Sequence, residues 1–152
     1  MAQIPAFSLS GSDGATYSAK GLKGKAYVLY FYPKDNTPGC TTEACDFRDN
    51  MARIVASGVE VFGVSPDSLK SHEKFIAKFD LPFVLLSDPE HSLAEKLGAW
   101  GRKKFMGKEY DGVIRSTFLI GSSGSILKEW RGVKVAGHVD EVIAAIDELV
   151  AS

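Results

Sequence analysis

Seven consecutive residues, Ala26 to Tyr32, are apolar or aromatic without interruption, and a proline follows at once. An unbroken run of this length is the pattern of a central strand buried on both faces, not of a strand with one face in water. Pro33 ends it. Whatever fold the chain adopts must therefore cover this strand above and below.

The next segments supply that cover. Cys40, Ala44, Phe47, Met51 and Ile54 recur at spacings of 4, 3, 4 and 3, one helical stripe on a helix expected from Pro38 to Ala56. Gly58 is its expected stop. Val59 to Val64 reads as a strand. Leu69, His72, Ile76 and Phe79 give a second helical stripe that ends before Pro82, and Phe83 to Leu86 reads as a short strand. Asp88 and Pro89 suit the cap and first residue of a short helix carrying Leu93 and Leu97.

The two ends of the chain are hairpin-like. Phe7-Ser8-Leu9 and Ala15-Thr16-Tyr17 flank a glycine-bearing loop, predicting an N-terminal β-hairpin. Ser116 to Ile120 and Ile126 to Trp130 flank Gly121-Ser122-Ser123-Gly124, a second hairpin. A last helix carries Val139, Val142, Ile143, Ile146, Leu149 and Val150, with Asp140 and Glu141 in a first turn that favours acidic residues. Gly98 to Gly112 is the least regular stretch and is read as a basic, solvated loop. Strands alternating with helices predict an α/β fold around a central mixed sheet. At 152 residues, one domain spanning 1–152 is expected.

Eighteen basic residues against nineteen acidic ones leave a net charge of −1, which argues against a dedicated nucleic-acid binder. No apolar stretch approaches the roughly 20 residues that span a bilayer, so no membrane partner is expected. The first residues show no basic segment followed by an apolar run. A cytoplasmic location is the resulting expectation. In that compartment two cysteines are read as catalytic or sensing rather than as a structural disulfide.

Both cysteines lie just after the central strand. Thr37 suits a helix N-cap and Pro38 the first helical position, which places Cys40 in the first turn. Free amides and the positive end of the helix dipole there favour a thiolate. Cys45 lies five residues on, about 8.7 Å away between Cα atoms in an intact helix, whereas a disulfide needs about 7 Å or less. The pair can bond only if the helix start unwinds. Plainer readings exist. A lone cysteine on an apolar stripe is usually a small buried hydrophobe. His72, His91 and His138 are dispersed, and with two cysteines they do not make a four-ligand zinc set. The spacing is not the C-x-x-C of a thioredoxin-type redox pair.

The segment from Phe31 through Pro33, Thr37 and Cys40 to Cys45 resembles the active site of peroxiredoxins of the bacterioferritin-comigratory, or Q, type. The likeness continues through Trp100-Gly101, Phe105 to Tyr110, and Gly112 to Ile120, and covers essentially the whole chain. The resemblance implies a thioredoxin-like fold and cysteine-based peroxide reduction without a cofactor or metal. By motif, Cys40 resembles the peroxidatic cysteine and Cys45 the resolving cysteine of the subgroup that keeps it in the same helix. Thr37, Pro33 and Arg115 resemble the residues around the thiol. The Thr37 hydroxyl, the Gly39 and Cys40 amides and the Arg115 guanidinium are the candidate donors to the leaving oxygen. Glu43 is a candidate for orienting Arg115 or Thr37, although a glutamate in a first turn is also explained by the helix dipole. The implied partners are hydrogen peroxide, alkyl hydroperoxides and thioredoxin or a similar dithiol, acting on a monomer. A peroxide sensor that passes oxidation to a partner shares the first chemical step and is the alternative. His72, on an apolar stripe, is read as a satisfied, semi-buried histidine.

Overall fold

The computed structural model describes residues 2–151. Seven strands form one mixed sheet in the order β2-β1-β5-β4-β3-β8-β9. Strands β3 (Ala26–Phe31), β4 (Val59–Ser65) and β5 (Val84–Ser87) run parallel. On one side of them, β8 (Ser116–Ile120) and β9 (Ile126–Arg131) add antiparallel. On the other, the N-terminal hairpin of β1 (Ser8–Gly11) and β2 (Thr16–Ser18) pairs antiparallel with β5.

The apolar run is β3, and its alternation divides the core in two. Val28, Tyr30 and Tyr32 face one layer, packed with Phe47, Phe75 and Ile143 from the helices. Tyr27, Leu29 and Phe31 face the other, packed with Phe62, Leu93 and Phe118. Successive side chains of a strand point to opposite faces, so burial on both faces requires an unbroken apolar sequence. Where β4 pairs with β3, Gly63 lies beside Tyr30 and has no room for a side chain. A Cβ there would lie 2.7 Å from Leu85 Cδ2 and 2.8 Å from the Tyr30 ring. Gly63→Ala is expected to destabilise the fold by about 1–3 kcal/mol through overpacking, measured as a shift in urea midpoint at unchanged slope.

Three sequence expectations need correction. The helix expected from Pro38 to Ala56 is two helices, α1 (Pro38–Asp49) and α2 (Met51–Ala56). The break is at Asn50, whose side-chain amide donates to the Asp46 carbonyl while its own N–H donates to Phe47. The side chain takes the carbonyl that a continuing helix would use. The apolar stripe nonetheless runs through the break, with Cys40, Ala44, Phe47, Met51 and Ile54 all buried.

After α3 (Leu69–Phe79), the short helix α4 is Ser92–Lys96 and does not start at Pro89. Residues 88–91 form a turn closed by a bond from the His91 N–H to the Asp88 carbonyl. Asp88 still serves the helix, its carboxylate accepting from the Leu93 and Ala94 amides.

The stretch from Gly98 to Gly112 is not an irregular loop. It is a hairpin of β6 (Trp100–Phe105) and β7 (Lys108–Val113), closed by Met106 and Gly107, both at positive φ. Two central residues at positive φ match the twist of a two-residue hairpin loop, normally signalled by Asn-Gly or Asp-Gly. Helix α5 (His138–Ala151) closes the described chain. No helix among the described residues is long and apolar enough to cross a membrane.

Candidate active site

The site is built where β3 ends and α1 begins. Thr37 has extended N-cap geometry, Pro38 occupies the first turn, and the first helical bond runs from the Thr41 N–H to the Thr37 carbonyl at 2.8 Å. The Thr37 hydroxyl does not cap the helix; it donates to the Lys34 carbonyl at 3.0 Å. Cys40 is 1% exposed and Cys45 is half-buried, and both are free thiols within the intact helix.

Arg115 joins the site from the segment between β7 and β8. Its Nη2 donates to Cys40 Sγ at 3.2 Å, and its Nη1 donates to Glu43 Oε1 at 2.6 Å. Cys40 and Glu43 are three residues apart, so they share a helix face that one planar guanidinium can span. Gly39 leaves space for this approach, since a Cβ there would lie 3.3 Å from Nη2. Glu43 is fully buried, and its second oxygen has no partner. Burial pushes its carboxyl from an ordinary 4.5 up to about 7; the Arg115 charge opposes that rise without cancelling it, and Asp46 adds to it. On Arg115, burial lowers the guanidinium while Glu43 and Cys40 raise it, with a net rise.

The residues expected from the motif are thus brought together in part. Cys40, Arg115, Glu43 and Gly39 are in mutual contact or close approach. Thr37 and a half-buried Pro33 lie on the loop leading into α1. Cys45 sits in the same helix but is not bonded to Cys40.

Sequence reasoning missed Asp35, which is buried at 7% exposure and holds this loop. Its carboxylate accepts from the Tyr32 hydroxyl at 2.5 Å and the Ser71 hydroxyl at 2.7 Å, and lies 2.8 Å from His72 Nδ1. Its backbone N–H donates to Asp67 at 2.7 Å. Burial raises the Asp35 carboxyl, but His72, Tyr32 and Ser71 together hold it below the usual range. His72 is satisfied, as expected, but is fully buried rather than semi-buried, and Asp35 is what satisfies it. The polar residue at position 72 on an otherwise apolar stripe was the one signal for this cluster. Asp35, Asp67 and His72 bring possible metal-ligand atoms within 4.8 Å of one another, and the hydrogen bonds just described account for that proximity.

The sequence profile described as the AhpC/TSA family matches residues 1–128. The chain belongs to that family. It is a peroxiredoxin of the Bcp, or Q, type, and hence a peroxidase. Peroxiredoxin Bcp of Bacillus subtilis is 52% identical over 147 residues, covering 97% of this chain and 94% of the relative. Among solved structures, peroxiredoxin Q of Xanthomonas campestris aligns with a TM-score of 0.90 at 42% identity, covering 95% of this chain and 91% of that one. The bacterioferritin comigratory protein of the same organism, studied for its alkyl peroxide reduction activity, aligns with a TM-score of 0.90 at 41% identity, covering 95% and 92%. The fold is thus the thioredoxin-like fold of the peroxiredoxins.

Proposed function

We propose that this peroxidase reduces hydrogen peroxide and alkyl hydroperoxides with Cys40 as nucleophile, and that Cys45 then closes a disulfide with it. The observation that carries the reading is the Arg115 guanidinium 3.2 Å from Cys40 Sγ, fixed there by its bond to Glu43. The thiolate attacks one peroxide oxygen and the O–O bond breaks. The distal oxygen takes a proton and leaves as water or alcohol, and Cys40 becomes a sulfenic acid. Charge develops on the leaving oxygen, so donors already in place, Arg115 and the first-turn amides, lower the barrier. The Thr37 proton is committed to Lys34, so in place of the donor role expected for it the hydroxyl offers lone pairs to a peroxide O–H. Cys45 then condenses with the sulfenic acid, releasing water, and thioredoxin or a similar dithiol reduces the disulfide by exchange. The acting species is a monomer.

The resolving step needs the first turns of α1 to open, because both cysteines occupy one intact helix. Cys45→Ser is expected to keep the first oxidation and lose the intramolecular disulfide. Mass spectrometry of peroxide-treated protein reads both outcomes, and a Cys40–Cys40 linked dimer in the wild type would overturn the role given to Cys45. Turnover with peroxide, thioredoxin and its reductase tests the whole cycle. A single stoichiometric oxidation without turnover would instead support a sensor that hands oxidation to a partner.

A further inference from the structure

The β6–β7 hairpin carries three successive basic residues that meet different fates. Arg102 pairs with Asp111 at 3.2 Å and with Glu109 at 3.7 Å, and Lys104 pairs with Glu109 at 3.6 Å. All of these lie on the exposed face. Lys103, between them, points to the opposite face, as strand alternation requires. It is half-buried and has no carboxylate at ion-pair distance among the described residues.

Its stem crosses Gly112, where a Cβ would lie 3.2 Å from Lys103 Cδ. Its ammonium donates to the Val113 carbonyl at 2.9 Å and lies 5.9 Å from the Tyr110 ring centroid. Val113 is two residues before Arg115, so this bond ties the ammonium to the segment that presents the guanidinium to Cys40. Burial lowers the Lys103 pKa, the Arg115 charge lowers it further, and Cys40 pulls it back up. The segment from Val113 to Arg115 therefore carries one cation and anchors another, and the buried carboxylate of Glu43 is paired to Arg115. A half-buried ammonium held by a carbonyl and an aromatic ring but by no carboxylate keeps its positive charge available to an anion near this segment.

We propose that Lys103 supplies a second positive charge to the Cys40 pocket and so favours reactants that carry a negative charge over neutral ones. This rests on the reading of Cys40 as the reactive thiol. The charge is held by the hairpin, on a strand whose other basic residues are neutralised on its outer face.

The test uses two alkylating reagents of similar size, iodoacetate, which is anionic, and iodoacetamide, which is neutral. Their rates at Cys40 are measured on the reduced protein, with peptide-resolved mass spectrometry separating Cys40 from Cys45. Both reagents attack the same sulfur, so changes in its ionisation or access cancel in the ratio of the two rates. Lys103→Met, which keeps the apolar stem, is expected to lower the iodoacetate-to-iodoacetamide ratio by about three- to tenfold at low salt. Lys103→Arg is expected to keep it. Arg102→Met, which removes an outward-facing charge from the same hairpin, is expected to leave it unchanged. An unchanged ratio in Lys103→Met, or an equal fall in Arg102→Met, overturns the proposal. Proportionate loss of both rates in Lys103→Met assigns Lys103 a structural role and overturns it as well. If Cys40 in the wild type reacts with neither reagent faster than Cys45 does, the parent reading of Cys40 fails instead.

Discussion

Cys40→Ser is expected to reduce peroxide consumption to the uncatalysed rate while leaving the fold intact. The substitution replaces sulfur with a hydroxyl of similar shape, and Arg115 Nη2, now 3.2 Å from Sγ, keeps an acceptor. Helix α1 keeps Thr37, Pro38 and its apolar stripe, so the circular dichroism spectrum should not change. What is lost is the proposed nucleophile. A thiol reaches its anionic form within the physiological range and is intrinsically very nucleophilic, whereas an alcohol is weak without an adjacent base. Among the described residues no histidine contacts this site; His72 is bound to Asp35 and the Leu86 carbonyl, and His138 to Thr117. Peroxide loss followed in the presence of excess dithiol gives the measurement. Residual turnover above the blank would move the chemistry away from Cys40.

Arg115→Met is expected to cost about 10²–10³ in peroxide turnover, the usual penalty for removing one preorganised donor, and to destabilise the protein as well. It leaves Glu43, fully buried, with neither oxygen partnered. Without Arg115 the Glu43 carboxyl moves further up, so the full cost of breaking a buried pair, about 3–5 kcal/mol, applies only at a pH high enough to keep Glu43 ionised. Glu43 also gives the wild type a pH signature. Its folded-state pKa is raised to about 7 from an ordinary 4.5, so the native state holds this proton more tightly than the unfolded chain does. The resulting stabilisation is full below 4.5 and is lost as pH rises through about 7. Its size is about 3 kcal/mol. Urea unfolding at several pH values should therefore show stability falling across that window, and Glu43→Gln should remove the fall. A Glu43→Gln protein with the wild-type slope would show that other groups set it.

Much of this arrangement was legible in the chain because local rules and global packing agree there. The run from Ala26 to Tyr32 is apolar at every position because both faces are covered, and the Cys40-to-Ile54 stripe is regular because one layer of the core receives it. The Pro38 helix start and the first-turn thiol follow from the same local chemistry. Arg115 was reached through resemblance, since nothing about an arginine before a strand says which helix it will meet. What stayed hidden depends on long-range partners or atypical turns. Asn50 breaks a helix by a side-chain bond to Asp46 that leaves the apolar stripe unbroken. The β6–β7 hairpin turns on Met106-Gly107, a pair without the usual turn signature, and its basic residues gave it the look of a solvated loop. Asp35 is a charged residue in a loop, and only the placement of α3 shows that it is buried against His72.

The break at Asn50 also bears on how α1 opens. Helix formation is cooperative along an uninterrupted run of hydrogen bonds, and α1 and α2 are separated by a residue at φ −114°. Fraying of the first turns around Cys40 is therefore expected to propagate no further than Asp49. Hydrogen exchange should divide accordingly. The amides of α1 should exchange through a low-energy local opening, while those of α2, anchored by Met51 and Ile54 in the core, should exchange only with the sheet. If Cys45 closes a disulfide with Cys40 as proposed, the residue that shortens the helix confines the accompanying disorder to a single cooperative unit.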